Sequence, residues 1–140
     1  MKLAFDADVL IYAVQVGHQV SAEILRLLNE PALDGNRFGS VLLLPELLSK
    51  PTRLGLQPEI NALSKVISTL ELQVMDVRVA ALAVQFGAAY KLKAPDAIHL
   101  ASAVNVGADA FVTNNAKDFD HDAILELQVL FPADLNALRF

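Results

Sequence analysis

Short apolar runs of strand length alternate with longer segments of helical periodicity along the 140-residue chain, and few folds accommodate that alternation. It is the pattern of an α/β domain, a central sheet with helices packed on its faces. Lys2–Asp6 reads as a first strand that runs into an acidic turn. Val9–Val16 and Ser21–Asn29 read as helices, the second carrying Ile24, Leu25, Leu27 and Leu28. Asp34-Gly35-Asn36 has the composition of a loop. Ser40–Leu44 is a continuous apolar run, as expected of a strand covered on both faces, and Pro45 suits the first turn of a helix that carries Glu46. Further helices are expected over Pro58–Leu70, over the alanine-rich Val77–Tyr90, and over Asp96–Val106, opened by Pro95 and stopped by Gly107. Leu72–Met75, Ala110–Thr113 and Gln128–Phe131 complete the strands, and the tail is expected to be helical.

Neither repeats nor a linker interrupts this pattern, and the length suits one domain, residues 1–140. With 54% hydrophobic residues the chain can fill a core on both faces of a sheet. No apolar stretch reaches the ~20 residues of a membrane-spanning helix. The opening MKLAFDADVL places two carboxylates where a signal peptide is apolar, so a cytoplasmic protein is expected. The absence of cysteine excludes disulfides, thiolate metal sites and cysteine nucleophiles. The net charge of −5 argues against general attraction to nucleic acid, although bound cations would cancel the charge of an acidic metal site.

The acids are placed informatively. Asp6 ends the first strand, Glu46 follows the second, Asp96 lies in a first helical turn, and Thr113, Asn114, Asn115 and Asp118 follow a later strand. In a parallel sheet the C-terminal strand ends share one edge, and ligands bind in the crevice there. Carboxylates crowded at such an edge are stable together when a hard divalent cation, Mg²⁺ or Mn²⁺, takes their charge. Each also has a plainer reading: Asp6 or Asp8 as a helix cap, Glu46 and Asp96 as acids suited to helix N-termini. No glycine-rich phosphate loop and no G-x-S-x-G serine is present.

The segments LAFDADVLIY, LLLPELLSK, KAPDAIHLASAV and AFVTNNAKDF, in this order between Asp6 and Phe119, resemble the motifs of the PIN-domain family. The resemblance implies a three-layer α/β fold, with a central, mainly parallel sheet flanked by helices. It also implies a Mg²⁺- or Mn²⁺-dependent ribonuclease whose site includes Asp6, Glu46 and Asp96. Small bacterial members similar to this chain are often VapC-type toxins of toxin–antitoxin pairs, so RNA, a cognate antitoxin and a second copy in a homodimer are the expected partners. Thr113 matches the hydroxyl residue of the family's pattern. The fourth acid departs from it: Asn115 stands where T-N-D is common, leaving Asn115 and Asp118 to complete the metal shell. Asp8 is an additional acid that either compensates for Asn115 or caps the first helix.

His99, one turn after Asp96, reads as a packing or hydrogen-bonding residue, because metal-dependent hydrolysis needs no general acid. His18 and His121 lie outside these motifs and read as surface residues. Lys50, Arg53, Lys91, Lys93 and Lys117 flank the motifs as a candidate basic rim for phosphates. The competing reading is a PIN-like binding or regulatory module whose activity has lapsed, and a small nucleotide phosphatase is a third. Dimer contacts are expected on Val9–Asn29 and Pro58–Leu70.

Overall fold

The computed structural model describes residues 1–140. Five strands, β1 (Leu3–Phe5), β2 (Arg37–Ser40), β3 (Glu71–Gln73), β4 (Ala110–Val112) and β5 (Gln128–Leu130), form one sheet in the order β3-β2-β1-β4-β5. Every pairing is parallel. The helices are α1 (Ala7–Val14), α2 (Ser21–Leu28), α3 (Leu43–Arg53), α4 (Gln57–Ile67), α5 (Val77–Tyr90) and α6 (Ala94–Asn105). The expected helical tail is a short 3₁₀ turn, Pro132–Ala137, tied to α2 where Arg26 donates to the Leu135 carbonyl at 2.6 Å. No helix is long and apolar enough to cross a membrane.

Side-chain alternation along the strands divides the core in two. Leu3 and Phe5 of β1, with Ala110 and Val112 of β4, face Val9, Leu10, Ile24, Leu27, Leu43, Leu47 and Leu63 from α1–α4. Ala4 and Phe111 point the other way, onto Val79, Phe86, Leu100 and Ala101 of α5 and α6. Coverage on both faces explains why the two central strands, Leu3–Phe5 and Ala110–Val112, are apolar throughout.

The second strand differs from expectation. It is Arg37–Ser40, immediately after the Asp34–Asn36 loop, whereas Val41–Leu44 turns into α3. The Ser40 hydroxyl accepts the Leu42 N–H at 3.1 Å and bends the chain out of the sheet. A buried arginine disguised the strand. The Arg37 guanidinium donates to the carbonyls of Leu27 (3.3 Å) and Glu30 (2.8 Å) and pairs with Asp34 at 2.7 Å. The apolar run belongs to the helix instead, where Leu43 and Leu47 enter the core.

Gly39, in the middle of β2, permits the close approach of α3. A Cβ there would lie 2.5 Å from Leu43 Cδ1 and 3.1 Å from Leu70 Cδ1. Leu43 is fully buried and has little room to yield. Gly39→Ala is therefore expected to destabilise the fold by about 1–3 kcal/mol, seen as a lower midpoint in urea unfolding; an unchanged midpoint would show that this contact relaxes freely.

Candidate functional site

β1 is the middle strand, and the chain passes from it to β2 and β3 on one side before β4 and β5 fill the other. The strand order therefore reverses between β1 and β4, and the C-terminal ends of such a pair are where open α/β sheets bind ligands. Asp6 follows β1 there as the N-cap of α1, one oxygen accepting the Ala7 N–H at 2.8 Å. Its other oxygen accepts the Thr113 hydroxyl at 2.7 Å from just beyond β4. Both residues are buried, at 5% and 0% exposure, so the pair is fixed where the two strands end. α6 runs back to the start of β4, which brings its first turn, with Pro95 and Asp96, to the same edge. Glu46 lies in the first turn of α3, after β2.

The loop after β4 is held by its own polar side chains. The Asn114 N–H donates to both oxygens of Asp8, at 3.1 and 3.2 Å. The Asn115 N–H donates to the Thr113 hydroxyl at 3.1 Å. The Asn115 side chain donates to Asp118 at 2.9 Å, and its carbonyl oxygen accepts the Asp118 N–H at 3.2 Å. Asn115 thus braces Asp118, and Asp8 anchors the loop to α1. His99 is almost fully buried on α6 and lies 3.1 Å from Glu46 through Nε2, while its Nδ1 has no partner.

These acids share one electrostatic environment. Burial raises the Asp6 carboxyl above its ordinary range, against the lowering effects of His99 and Thr113. Asp8 is pushed up to about 6 by burial and by the charge of Asp6. Asp96 is raised by burial and by the charges of Asp6 and Asp118. Burial alone would lower His99, but the Glu46 hydrogen bond and the charges of Asp6, Glu46 and Asp96 outweigh it and hold the imidazole above its ordinary value. The ion pairs of the fold are Arg26–Glu23, Arg37–Asp34, His99–Glu46 and His121–Asp122. His99 is the one basic side chain within ion-pair distance of the cluster, and no lysine or arginine pairs with it.

That donor set fits a hard divalent cation: carboxylate and amide oxygens, no sulfur, and negative charge left uncompensated. The carboxylate oxygens of Asp6, Glu46 and Asp96 do not all lie within 4.8 Å of one another, and Glu46 is paired with His99. Three ligand atoms come within 4.8 Å of one another only at Asp120, His121 and Asp122. Those are consecutive exposed residues of one turn, where Asp120 accepts the Asp122 N–H at 2.9 Å; this is turn geometry at the surface.

Of the sequence-predicted residues, Asp6, Thr113, Asn115 and Asp118 form one hydrogen-bonded run, and Glu46 and Asp96 join it through charge and His99. Lys50, Arg53, Lys91, Lys93 and Lys117 are all exposed and unpaired with the acids. Sequence reading missed Tyr12. It lies one helical turn after Asp8, a spacing that would have placed it on the same face of α1, and its hydroxyl accepts the Asn114 side-chain N–H at 3.1 Å. His18, read as a surface residue, is half-buried and stacks on Tyr12.

The model of the PIN domain matches residues 3–124, and the chain belongs to the PIN-domain family. Its fold is similar to a chain of a toxin–antitoxin complex from Klebsiella pneumoniae, with a TM-score of 0.72 and 24% identity. DNA-bound VapBC from Salmonella typhimurium matches at a TM-score of 0.73 and 20% identity. VapBC2 from Rickettsia felis, bound to a promoter DNA fragment, matches at 0.71 and 18%. Each match covers 94% of this chain and 98% of the other. No curated protein matches the sequence.

Proposed function

We propose that this chain is a single-domain, cytoplasmic Mg²⁺- or Mn²⁺-dependent ribonuclease, acting as the toxin of a toxin–antitoxin pair. The observation that carries the reading is the convergence of Asp6, Asp8, Glu46, Asp96 and Asp118 at one sheet edge, with His99 as the one basic side chain paired there. Asp6, Glu46 and Asp96 would hold the cation, with Asp118 and Asn115 completing its surroundings. A divalent cation, when bound, polarises a phosphoryl oxygen and acidifies the attacking water. Thr113 fixes one oxygen of Asp6, His99 fixes one oxygen of Glu46, and Asn115 orients Asp118. The exposed Lys50, Arg53, Lys91, Lys93 and Lys117 supply a rim for phosphates outside the acidic centre.

Two surfaces suit the two protein partners. A cleft of about 570 Å³ between α1, α3 and α4 is lined by Ile11, Val14, Leu47 and Leu63, with Glu46 and Lys50 also in its wall. An apolar helix of an antitoxin fits such a groove, and the VapBC neighbours support that kind of partner. A homodimer is better served by the face around Val74, Met75, Val77 and Val84, which are 47–85% exposed beside an apolar hollow of about 330 Å³. The dimer contact is thereby proposed at residues 74–84 in place of Val9–Asn29 and Pro58–Leu70, which are left to the antitoxin.

The lapsed-module alternative draws support from Asn115, but that side chain braces Asp118, so an acid remains beside the site. Incubation of RNA and DNA panels with the protein, with and without Mg²⁺ or Mn²⁺, decides between them. Metal-dependent cleavage of RNA is expected; intact RNA under every metal condition would establish the lapsed module. The fourth position has its own test. Asn115→Asp adds an anionic oxygen and removes the N–H that restrains Asp118. Calorimetric titration is expected to show tighter Mn²⁺ binding than wild type, and metal-free melting a lower midpoint. Unchanged affinity would place residue 115 outside the cation's reach.

A further inference from the structure

We infer that the stacked rings of Tyr12 and His18 are a nucleobase platform beside the acidic centre, taking an unpaired base of single-stranded RNA next to the phosphate that is cut. The inference rests on the ribonuclease reading and adds to it a substrate subsite that the acids do not provide. The two rings lie 4.2 Å apart between centroids and only 15° from coplanar. Both side chains are half-buried, so the pair is seated in the protein yet reaches solvent. Its position is set by the site itself. Asn114 donates through its side chain to the Tyr12 hydroxyl, and through its backbone N–H to Asp8, two residues from Asp6.

Local chain geometry folds His18 back over Tyr12. α1 ends at Val14, and Gly17 adopts φ +79 with open space about its Cα. That left-handed conformation strains other residues and reverses the chain here. The Val20 N–H then donates to His18 Nδ1 at 3.3 Å, which holds the imidazole and leaves Nε2 as the ring's donor. A ring held on one face by Tyr12 and carrying an N–H at its edge can offer stacking and one hydrogen bond to a base.

The chemistry also answers a difficulty raised by charge. The chain carries a net charge of −5, and the acids nearest the cut repel phosphates. Base stacking on aromatic rings does not depend on phosphate neutralisation, and every base has a face that can use it. Among the other aromatic residues, Phe5, Phe111 and Phe119 are buried in the core, and Tyr90 is engaged by Glu126. Tyr12 is joined to the acidic site through Asn114, and His18 reaches it through its stack on Tyr12.

The test uses the Asp6→Asn protein, to prevent cleavage, and fluorescence anisotropy with two probes. One is a fluorescein-labelled random-sequence 12-nucleotide single-stranded RNA; the other is its counterpart with abasic residues. His18→Ala is expected to weaken binding of the first about tenfold and to leave binding of the abasic probe unchanged. His18→Phe, which keeps a ring face, is expected to restore most of the loss. In the active protein the same loss is expected in KM for cleavage of unlabelled RNA. Equal affinity of His18→Ala and its parent for the base-bearing RNA would overturn the platform, as would an equal loss with both probes. If RNA is cut by wild type and by His18→Ala with the same KM, the platform fails and the nuclease reading stands. If wild type neither binds nor cuts RNA, both fail together.

Discussion

Asp6→Asn is expected to lower RNA cleavage by on the order of 10²-fold or more while leaving the fold intact, because it removes charge a cation needs and almost nothing else. Asparagine is as good an N-cap as aspartate, so the oxygen that accepts the Ala7 N–H is preserved. The second position still meets the Thr113 hydroxyl, which can turn from donor to acceptor. Without metal the variant should melt higher than wild type, since Asp6 is a buried acid whose pKa burial raises, beside the like charge of Glu46. At this chain length each 1 kcal/mol gained is worth roughly 3–5 °C. Calorimetry and a cleavage assay on the same preparations check both halves. A folded Asp6→Asn protein with wild-type activity would show that the reaction occurs elsewhere, and Asp96→Asn repeats the test on a different element.

Chelation is the second large effect. EDTA should abolish cleavage, Mg²⁺ or Mn²⁺ should restore it, and full activity in chelator would refute the metal mechanism. The metal-free protein should also show an unusual pH dependence. Asp8 titrates near 3.8 when unfolded and about 6 when folded, so between those values the native state holds more protons than the unfolded state. Stability from this group is complete below about pH 4 and is lost as pH rises through 6. Asp6, Asp96 and His99 are also raised, and each acts in the same direction. Metal-free protein is therefore expected to melt lower at pH 7.5 than at pH 5.5. Added Mn²⁺ should raise the melting temperature most at the higher pH, where more of the site's carboxyl groups are ionised. Equal melting at both pH values, with no response to Mn²⁺, would mean that these acids are not one coupled cluster.

Much of this was legible in the residues. Helices such as Val77–Tyr90 were readable because propensity and apolar spacing agree there, and the starts of α4 and α6 because proline sits at the first turn. The second strand was not legible as such. Its Arg37 side chain is satisfied by carbonyls of Leu27 and Glu30, ten and seven residues earlier in the chain, and its Gly39 is required by a helix packed above it. Local pattern assigns an apolar run by its own periodicity and has no access to such partners.

The same division holds for the site. Asp6, Glu46, Asp96 and Thr113 could be named as candidates from the sequence: Asp6 and Glu46 follow strands that in a parallel sheet end at one edge, Asp96 opens a helix after Pro95, and Thr113 matches the family's hydroxyl residue. The family motifs narrowed them further. Side-chain pairing was beyond it: Thr113 on Asp6, His99 on Glu46, and Asn115 bracing Asp118 join residues as many as 107 positions apart. The Tyr12–His18 stack likewise depends on a chain reversal at Gly17 and on Asn114 arriving from beyond β4. Sequence alone determined most of the helices and the outer bounds of the central strands, and it marked the acids that stand at strand and helix ends, because periodicity is a property of consecutive residues. Tertiary structure decided which of those side chains touch, which are buried enough to have raised pKa values, and which rings lie beside them. Burial and contact are set by neighbours that only folding brings near.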